Sequence, residues 1–183
     1  PEHTLKPGRY TFVPSGFRYP RGVFPSIHNR SWSIEADVDL SGKGSDGALI
    51  TQGGRFSGWG LVLLEGIPTF LYRTSDTDDS LTRLAASAPL PLGLHRITVR
   101  FHVDGPGLGK GGSLEMAVDD ITVATGRLDE TAPIRFSEED GTIGWDSGTA
   151  LTKDYRAPFK ASGLRSVTVE LGPLQTPFAA PTK

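Results

Sequence analysis

From Arg30 to Leu40 the chain alternates without a break. Trp32, Ile34, Ala36, Val38 and Leu40 fall on one side, and Ser31, Ser33, Glu35, Asp37 and Asp39 on the other. Successive side chains of an extended strand point to opposite faces, so this run is a strand buried on one side only. The stretch from Leu94 to Val103 repeats the pattern, with Ile97, Val99, Phe101 and Val103 inward and Arg96, Thr98, Arg100 and His102 outward. Val167, Val169 and Leu171 carry the same period near the C-terminus. Shorter strand candidates lie between: Tyr10 to Val13, Ala48 to Gln52, Gly60 to Leu64, Thr69 to Tyr72, Leu81 to Ala85, Leu114 to Asp119 and Ile121 to Ala124. No segment sustains a 3.6-residue period. The window that comes nearest, Asp76 to Ala86, is too polar in its first half to cover a core and reads as a loop followed by an edge strand.

Turn chemistry ties two pairs of these strands together. Asp119-Asp120 stands between Val118 and Ile121, and Glu65-Gly66 follows Leu64; both pairs suit a tight hairpin turn, which needs positive φ. The 23 Gly and 14 Pro recur along the whole chain, as expected of many short strands and turns. Ten or more strands without helices predict an all-β fold: a two-sheet antiparallel β-sandwich of jelly-roll or concanavalin A-like (lectin-like) type, with a barrel as the alternative. Residues 1–28 read as a lead-in with a first strand, 29–171 as the sandwich domain and 172–183 as a Pro/Ala-rich tail. The absence of a fixed repeat argues against a propeller.

At 183 residues with a net charge of -2, the chain has the size and charge of a single ordinary domain. Neither a nucleic-acid partner nor a membrane partner is expected, since it lacks both a basic excess and a run of about 18 apolar residues. Cysteine is absent, which excludes Cys nucleophiles and Cys-ligated zinc. The start at Pro1 suggests a processed product or an excised fragment, and the compartment stays open.

The loop GPGLGKGG, Gly105 to Gly112, contains a formal G-x-G-x-x-G but leads into a strand, whereas a dinucleotide fingerprint opens a helix. It reads as a hairpin loop. The acidic run Glu138-Glu139-Asp140, with Asp146 and Asp154 beyond it, carries the oxygen donors of a structural Ca²⁺ site; Glu138, Asp140 and Asp146 are the candidate ligands. Its spacing is not that of an EF-hand, and a solvated turn is the alternative. No other cofactor is expected. Four histidines lack metal-binding spacing, and no G-x-S-x-G elbow occurs. Asn29-Arg30-Ser31 fits the N-glycosylation pattern, which also arises by chance. Trp32 is in phase with the buried face of its strand. Trp59 and Trp145 sit beside glycines in turn-like segments, where partial exposure and contact with a sugar or partner are expected, against packing as the default.

Four phrases in order, NRSWSIEADV (29–38), GALITQGGRFSGWGLVL (47–63), GLGKGG (107–112) and IGWDSGTALTKDY (143–155), resemble the domain that follows the catalytic domain in large bacterial type I arylsulfatases. The resemblance implies a formylglycine-dependent sulfatase as the parent, with a divalent metal held by Asp and Asn. None of that machinery is here, because Cys is missing and no Ser begins S-x-P-x-R. It further implies a non-catalytic accessory domain that packs on the sulfatase catalytic domain. Its loops, from Gln52 to Trp59 and from Trp145 to Tyr155, would then wall the substrate pocket. Arg55 is a candidate for binding sulfate or an interdomain carboxylate. Arg55, Trp59, Trp145, Asp146, Asp154 and Tyr155 are therefore the contact residues expected from sequence. The competing expectation is a stand-alone carbohydrate-binding, lectin-like module with a glycan or sulfated ligand. A stand-alone enzyme ranks last, since no acid, base and nucleophile constellation can be named.

Overall fold

The computed structural model describes residues 5–20, 22–41, 46–136, 140–146 and 148–175. Among them run eleven strands: β1 (Gly8–Phe12), β2 (Trp32–Leu40), β3 (Gly47–Gly53), β4 (Gly58–Leu64), β5 (Ile67–Arg73), β6 (Leu81–Ala85), β7 (Gly93–Val103), β8 (Lys110–Val118), β9 (Ile121–Glu130), β10 (Gly141–Ile143) and β11 (Leu164–Leu171). The helical content among the described residues is one 3₁₀ turn, Asp78–Ser80. Six strands form one antiparallel sheet in the order β1-β11-β2-β7-β8-β9, and five form the other in the order β10-β3-β4-β5-β6. This is the two-sheet, jelly-roll-like sandwich that the alternation predicts. No helix among the described residues is long and apolar enough to cross a membrane.

The two long alternating runs are neighbours, β2 pairing with β7 in the middle of the six-stranded sheet. Their inward residues meet the other sheet across an aromatic centre. Trp32 stacks on Phe101 with ring centroids 5.5 Å apart and reaches Phe70 at 5.4 Å and Trp59 at 6.4 Å on the opposing strands. Both predicted hairpins form: Glu65 and Gly66 (φ 51° and 75°) join β4 to β5, and Asp119 and Asp120 (φ 51° and 67°) join β8 to β9. Such φ values give the turn a twist that matches the flanking strands. The window from Asp76 to Ala86 is, as expected, a loop followed by β6 at the edge of its sheet. Strand β10 was not anticipated, because three residues are too few to show a period.

The five-stranded sheet departs from a simple sandwich. Nearly every residue of β3, β4 and β5 is buried, on both faces. Their sequences fit this, reading as continuous apolar runs where β2 and β7 alternate. The outer face is covered by residues 144–146 and 148–161, and no strand forms among these described residues. Leu151 and Tyr155 from this strap pack on Ala48, Val62 and Leu71 in a second, smaller apolar cluster. Backbone bonds fix its ends: Gly144 N–H donates to the Leu49 carbonyl at 2.8 Å, and Ala48 N–H donates to that of Phe159 at 3.1 Å. Burying two such side chains contributes about 1.5–3 kcal/mol each.

Candidate functional site

Three segments converge beside this strap. The β3–β4 turn closes through the Gly54 N–H and the Ser57 carbonyl at 3.0 Å, leaving Arg55 and Phe56 exposed at its tip. The Arg55 backbone N–H donates to Thr149 Oγ1 at 2.9 Å, which ties the turn to the strap. Strand β5 ends at Arg73, whose side chain is only 5% exposed. Its Nη1 donates to the Leu151 carbonyl at 2.7 Å and its Nη2 to that of Thr77 at 3.1 Å, linking strap and β5–β6 loop. Ser80 Oγ stiffens that loop by donating to the Ser75 and Thr77 carbonyls, each at 2.7 Å. From β6, Arg83 pairs with Asp154 of the strap and donates to Thr152 Oγ1 at 3.3 Å. A broad cavity of about 1190 Å³ lies between these segments.

The strap is held in shape by a buried polar contact. Tyr155 Oη donates to Asp146 Oδ2 at 2.6 Å and accepts from the Leu151 N–H at 3.1 Å, while the Gly148 N–H donates to Asp146 Oδ1 at 3.2 Å. Burial raises the Asp146 carboxyl above its ordinary range, and these hydrogen bonds offset part of the rise. The Tyr155 phenol is pushed far up by burial and by the adjacent carboxylate. Asp154 behaves oppositely: hydrogen bonds from Arg83 and Thr152 hold it below the usual carboxylate range.

Five cationic side chains line the cavity, Arg55, Arg73, Arg83, Lys153 and Arg156, against the three carboxylates Asp76, Asp78 and Asp154. Arg83 is paired with Asp154, and Lys153 with Asp78 at 3.6 Å. Arg55, Arg73 and Arg156 have no carboxylate partner among the described residues. Arg73 Nε in addition is buried without a hydrogen bond. Buried charges in folded proteins are as a rule paired, which makes Arg73 unusual, and the exposed Arg55 and Arg156 beside it add to the excess of guanidinium charge.

The residues expected from sequence divide accordingly. Arg55, Asp154 and Tyr155 line this one cavity, and Asp146 supports it from behind Tyr155. Trp59 does not reach it. The expectation of partial exposure there is corrected, because Trp59 is fully buried between the sheets, its Nε1 donating to Gln52 Oε1 at 3.0 Å. Its flanking glycines serve packing: a side chain on Gly58 would come within 2.5 Å of the Gln52 carbonyl, and one on Gly60 would press on Leu151. Trp145 is half-buried and lines a different, largely apolar groove with Pro14 and Pro158. Of the calcium candidates, Glu138 lies outside the described residues, Asp140 is exposed and Asp146 is engaged with Tyr155. Among the described residues no three His, Asp or Glu side chains gather as metal ligands. Asn29 of the glycosylation pattern uses both ends of its amide, donating to the Pro133 carbonyl at 2.6 Å and accepting from the Gly109 N–H at 2.8 Å.

Sequence reasoning missed Arg73, Arg83 and Arg156. Arg73 closes the apolar run of β5 and Arg83 stands at an alternate position of β6, but only the strap's path brings them together. A second concavity, about 920 Å³, lies on the outer face of the six-stranded sheet. Its arginines are matched strand to strand, Arg100 with Glu115 at 3.2 Å and Arg127 with Asp104 at 2.6 Å, while neighbouring Arg9 reaches Glu170 at 2.7 Å. Trp32 and Phe101 beneath it face the core, so it has the character of an ordinary cross-strand-paired surface.

No protein-family model and no curated protein matches the chain. Solved structures do share its fold. The CBM40 domain of the Ruminococcus gnavus IT-sialidase, bound to α2,3-sialyllactose, aligns with a TM-score of 0.59 over 88% of this chain and 90% of that one, at 10% identity. Domain 4 of AbnA, a GH43 extracellular arabinanase from Geobacillus stearothermophilus in complex with arabinotriose, aligns with a TM-score of 0.55 over 87% of this chain and 68% of that one, at 13% identity. NanB sialidase from Streptococcus pneumoniae gives 0.58 over 95% of this chain and 29% of that one, at 11% identity. The resemblance to an arylsulfatase domain is corrected by these findings, since the matching structures include carbohydrate-binding modules and no sulfatase domain. Its four phrases fall on the β2 strand, the β3–β4 hairpin, the β7–β8 loop and the strap. At Gly58, for example, glycine is demanded by backbone packing and not by a shared activity. At these identities the likeness establishes a common sandwich fold.

Proposed function

We propose that this chain is a non-catalytic carbohydrate-binding module that takes a glycan in the cavity between the β3–β4 turn, the β5–β6 loop and the strap. The observation that carries the reading is the fold shared over nearly the full length of both chains with a domain solved in complex with sialyllactose. The cavity supplies a location. The exposed Thr149 hydroxyl and the guanidinium groups of Arg55 and Arg156 offer hydrogen bonds to sugar hydroxyls, and the half-exposed ring of Phe56, next to the lining residue Arg55 at the tip of the β3–β4 turn, offers a stacking face.

The same cavity is poorly suited to hydrolysis. A glycosidase needs one carboxyl kept protonated opposite a second that is ionised. Of the lining carboxylates, Asp154 is held low by Arg83, Asp78 pairs with Lys153 and Asp76 is exposed, while Asp146, whose carboxyl is raised, is shut behind Tyr155. Titration calorimetry against a panel of neutral and acidic oligosaccharides, preceded by a glycan array, tests the reading. Saturable binding that drops about tenfold in Phe56→Ala, the loss of roughly one stacking contact, is the expected result. A blank array together with blank titrations overturns it.

A further inference from the structure

We infer that the ligand of this cavity carries an oxyanion, a carboxylate or a sulfate ester on the sugar, which Arg55 and Arg156 contact while Arg73 supplies a fixed positive charge beneath; this rests on the glycan-binding reading above. The chain as a whole is slightly acidic, with a net charge of -2, yet this cavity has more cations than carboxylates. The six-stranded sheet neutralises its surface arginines, while buried Arg30 is held by the Leu5 and Ser26 carbonyls. On the six-stranded sheet Arg9, Arg96, Arg100, Arg127 and Arg165 each reach a carboxylate of the same face.

Around the cavity that rule fails at three positions. Arg73 is held by two backbone carbonyls, acceptors that fix its orientation but leave its charge unneutralised. Arg55 and Arg156 are exposed, so their donors are open to a ligand. The carboxylates present do little to cancel this. Asp154 is committed to Arg83 and Asp78 lies against Lys153, which leaves Asp76 facing the three arginines. A guanidinium presents several N–H donors in a plane and matches carboxylate or sulfate oxygens two at a time. An anion placed here loses little hydration before gaining several charge-assisted bonds. A neutral sugar accepts such bonds only through uncharged hydroxyl oxygens and gains no ion pair.

The test uses the full chain and matched ligands: 3′-sialyllactose against lactose, a sulfated disaccharide against its unsulfated form, and inorganic sulfate alone. The expected result is at least about tenfold tighter binding of the charged member of each pair, with the difference shrinking in ~0.5 M NaCl as the charges are screened. Arg55→Ala and Arg156→Ala each reduce that affinity about tenfold, lower any neutral-sugar binding by less so that the charged-to-neutral ratio narrows and, being surface changes, leave the melting temperature unchanged. Whichever charged pair shows the larger difference identifies carboxylate or sulfate as the source. Equal affinity for charged and neutral members, unaffected by either variant, overturns the inference and leaves the glycan reading standing. Binding of inorganic sulfate as tight as that of any saccharide, lost in both variants, supports the anion site and overturns the glycan reading. Silence from every probe overturns both.

Discussion

Tyr155 shows how much one hydroxyl does in this molecule. It bonds a buried carboxyl and a buried backbone N–H together, so Tyr155→Phe removes this partner from both Asp146 Oδ2 and the Leu151 N–H, leaving the Asp146 carboxyl the Gly148 N–H. The expected cost is about 1–3 kcal/mol in urea unfolding at neutral pH. Trp59 carries a different burden. Fully buried and centred 6.2 Å from Phe24 and 6.4 Å from Trp32, it should lose about 3–5 kcal/mol as Trp59→Ala. Asp154 contributes through its charge. Its folded pKa lies below the ordinary carboxylate value of about 4, so its stabilisation is present above that value and is lost as the pH falls through the folded pKa. Asp154→Asn should therefore cost under about 1 kcal/mol at neutral pH, because the pair is half-exposed and screened, and progressively less as the pH falls through the folded pKa. Asp146 runs the other way. Its raised pKa means that its contribution is full at acid pH and declines as the carboxyl ionises. Urea titrations from acid to neutral pH, wild type against Asp154→Asn, read the difference in slope.

Among the elements, β2 and β7 were legible, because one face meets the core and the alternation records it; the exception is Thr98, which was expected outward on β7 and is buried. The strap was not legible. Residues 144–161 have no period, and the apolar runs of β3, β4 and β5 state that both faces of these strands are covered without saying by what. Gly58 is a comparable case at the β3–β4 turn. Its place beside Trp59 suggests a surface turn, whereas its lack of a side chain lets the Gln52 carbonyl approach. Gly58→Ala should cost about 1–3 kcal/mol through overpacking against backbone, seen as a lower midpoint in denaturant.

For the whole molecule, the distribution of stability follows from the same architecture. The six-stranded sheet is held by long continuous ladders, while the strap is held by a few backbone bonds and the small cluster around Leu151 and Tyr155. Hydrogen exchange should therefore be slowest in β2, β7 and β11 and distinctly faster across 148–157, well below the global unfolding limit. Uniform protection across both regions would show that the strap opens only with the whole fold. If the strap opens separately, the cavity it walls opens with it.

The sequence alone determined that this chain is all-β and favoured a two-sheet sandwich over a barrel. Period-two alternation and paired turn residues are local properties, and burial of one strand face admits few other arrangements. It also pointed to Arg55, Asp154 and Tyr155, which do share a cavity. Only the tertiary structure decided that Arg73, Arg83 and Arg156 join them and that Trp59 belongs to the core. Which charges remain unneutralised depends on distances between segments tens of residues apart in the chain, and no local pattern of residues encodes those distances.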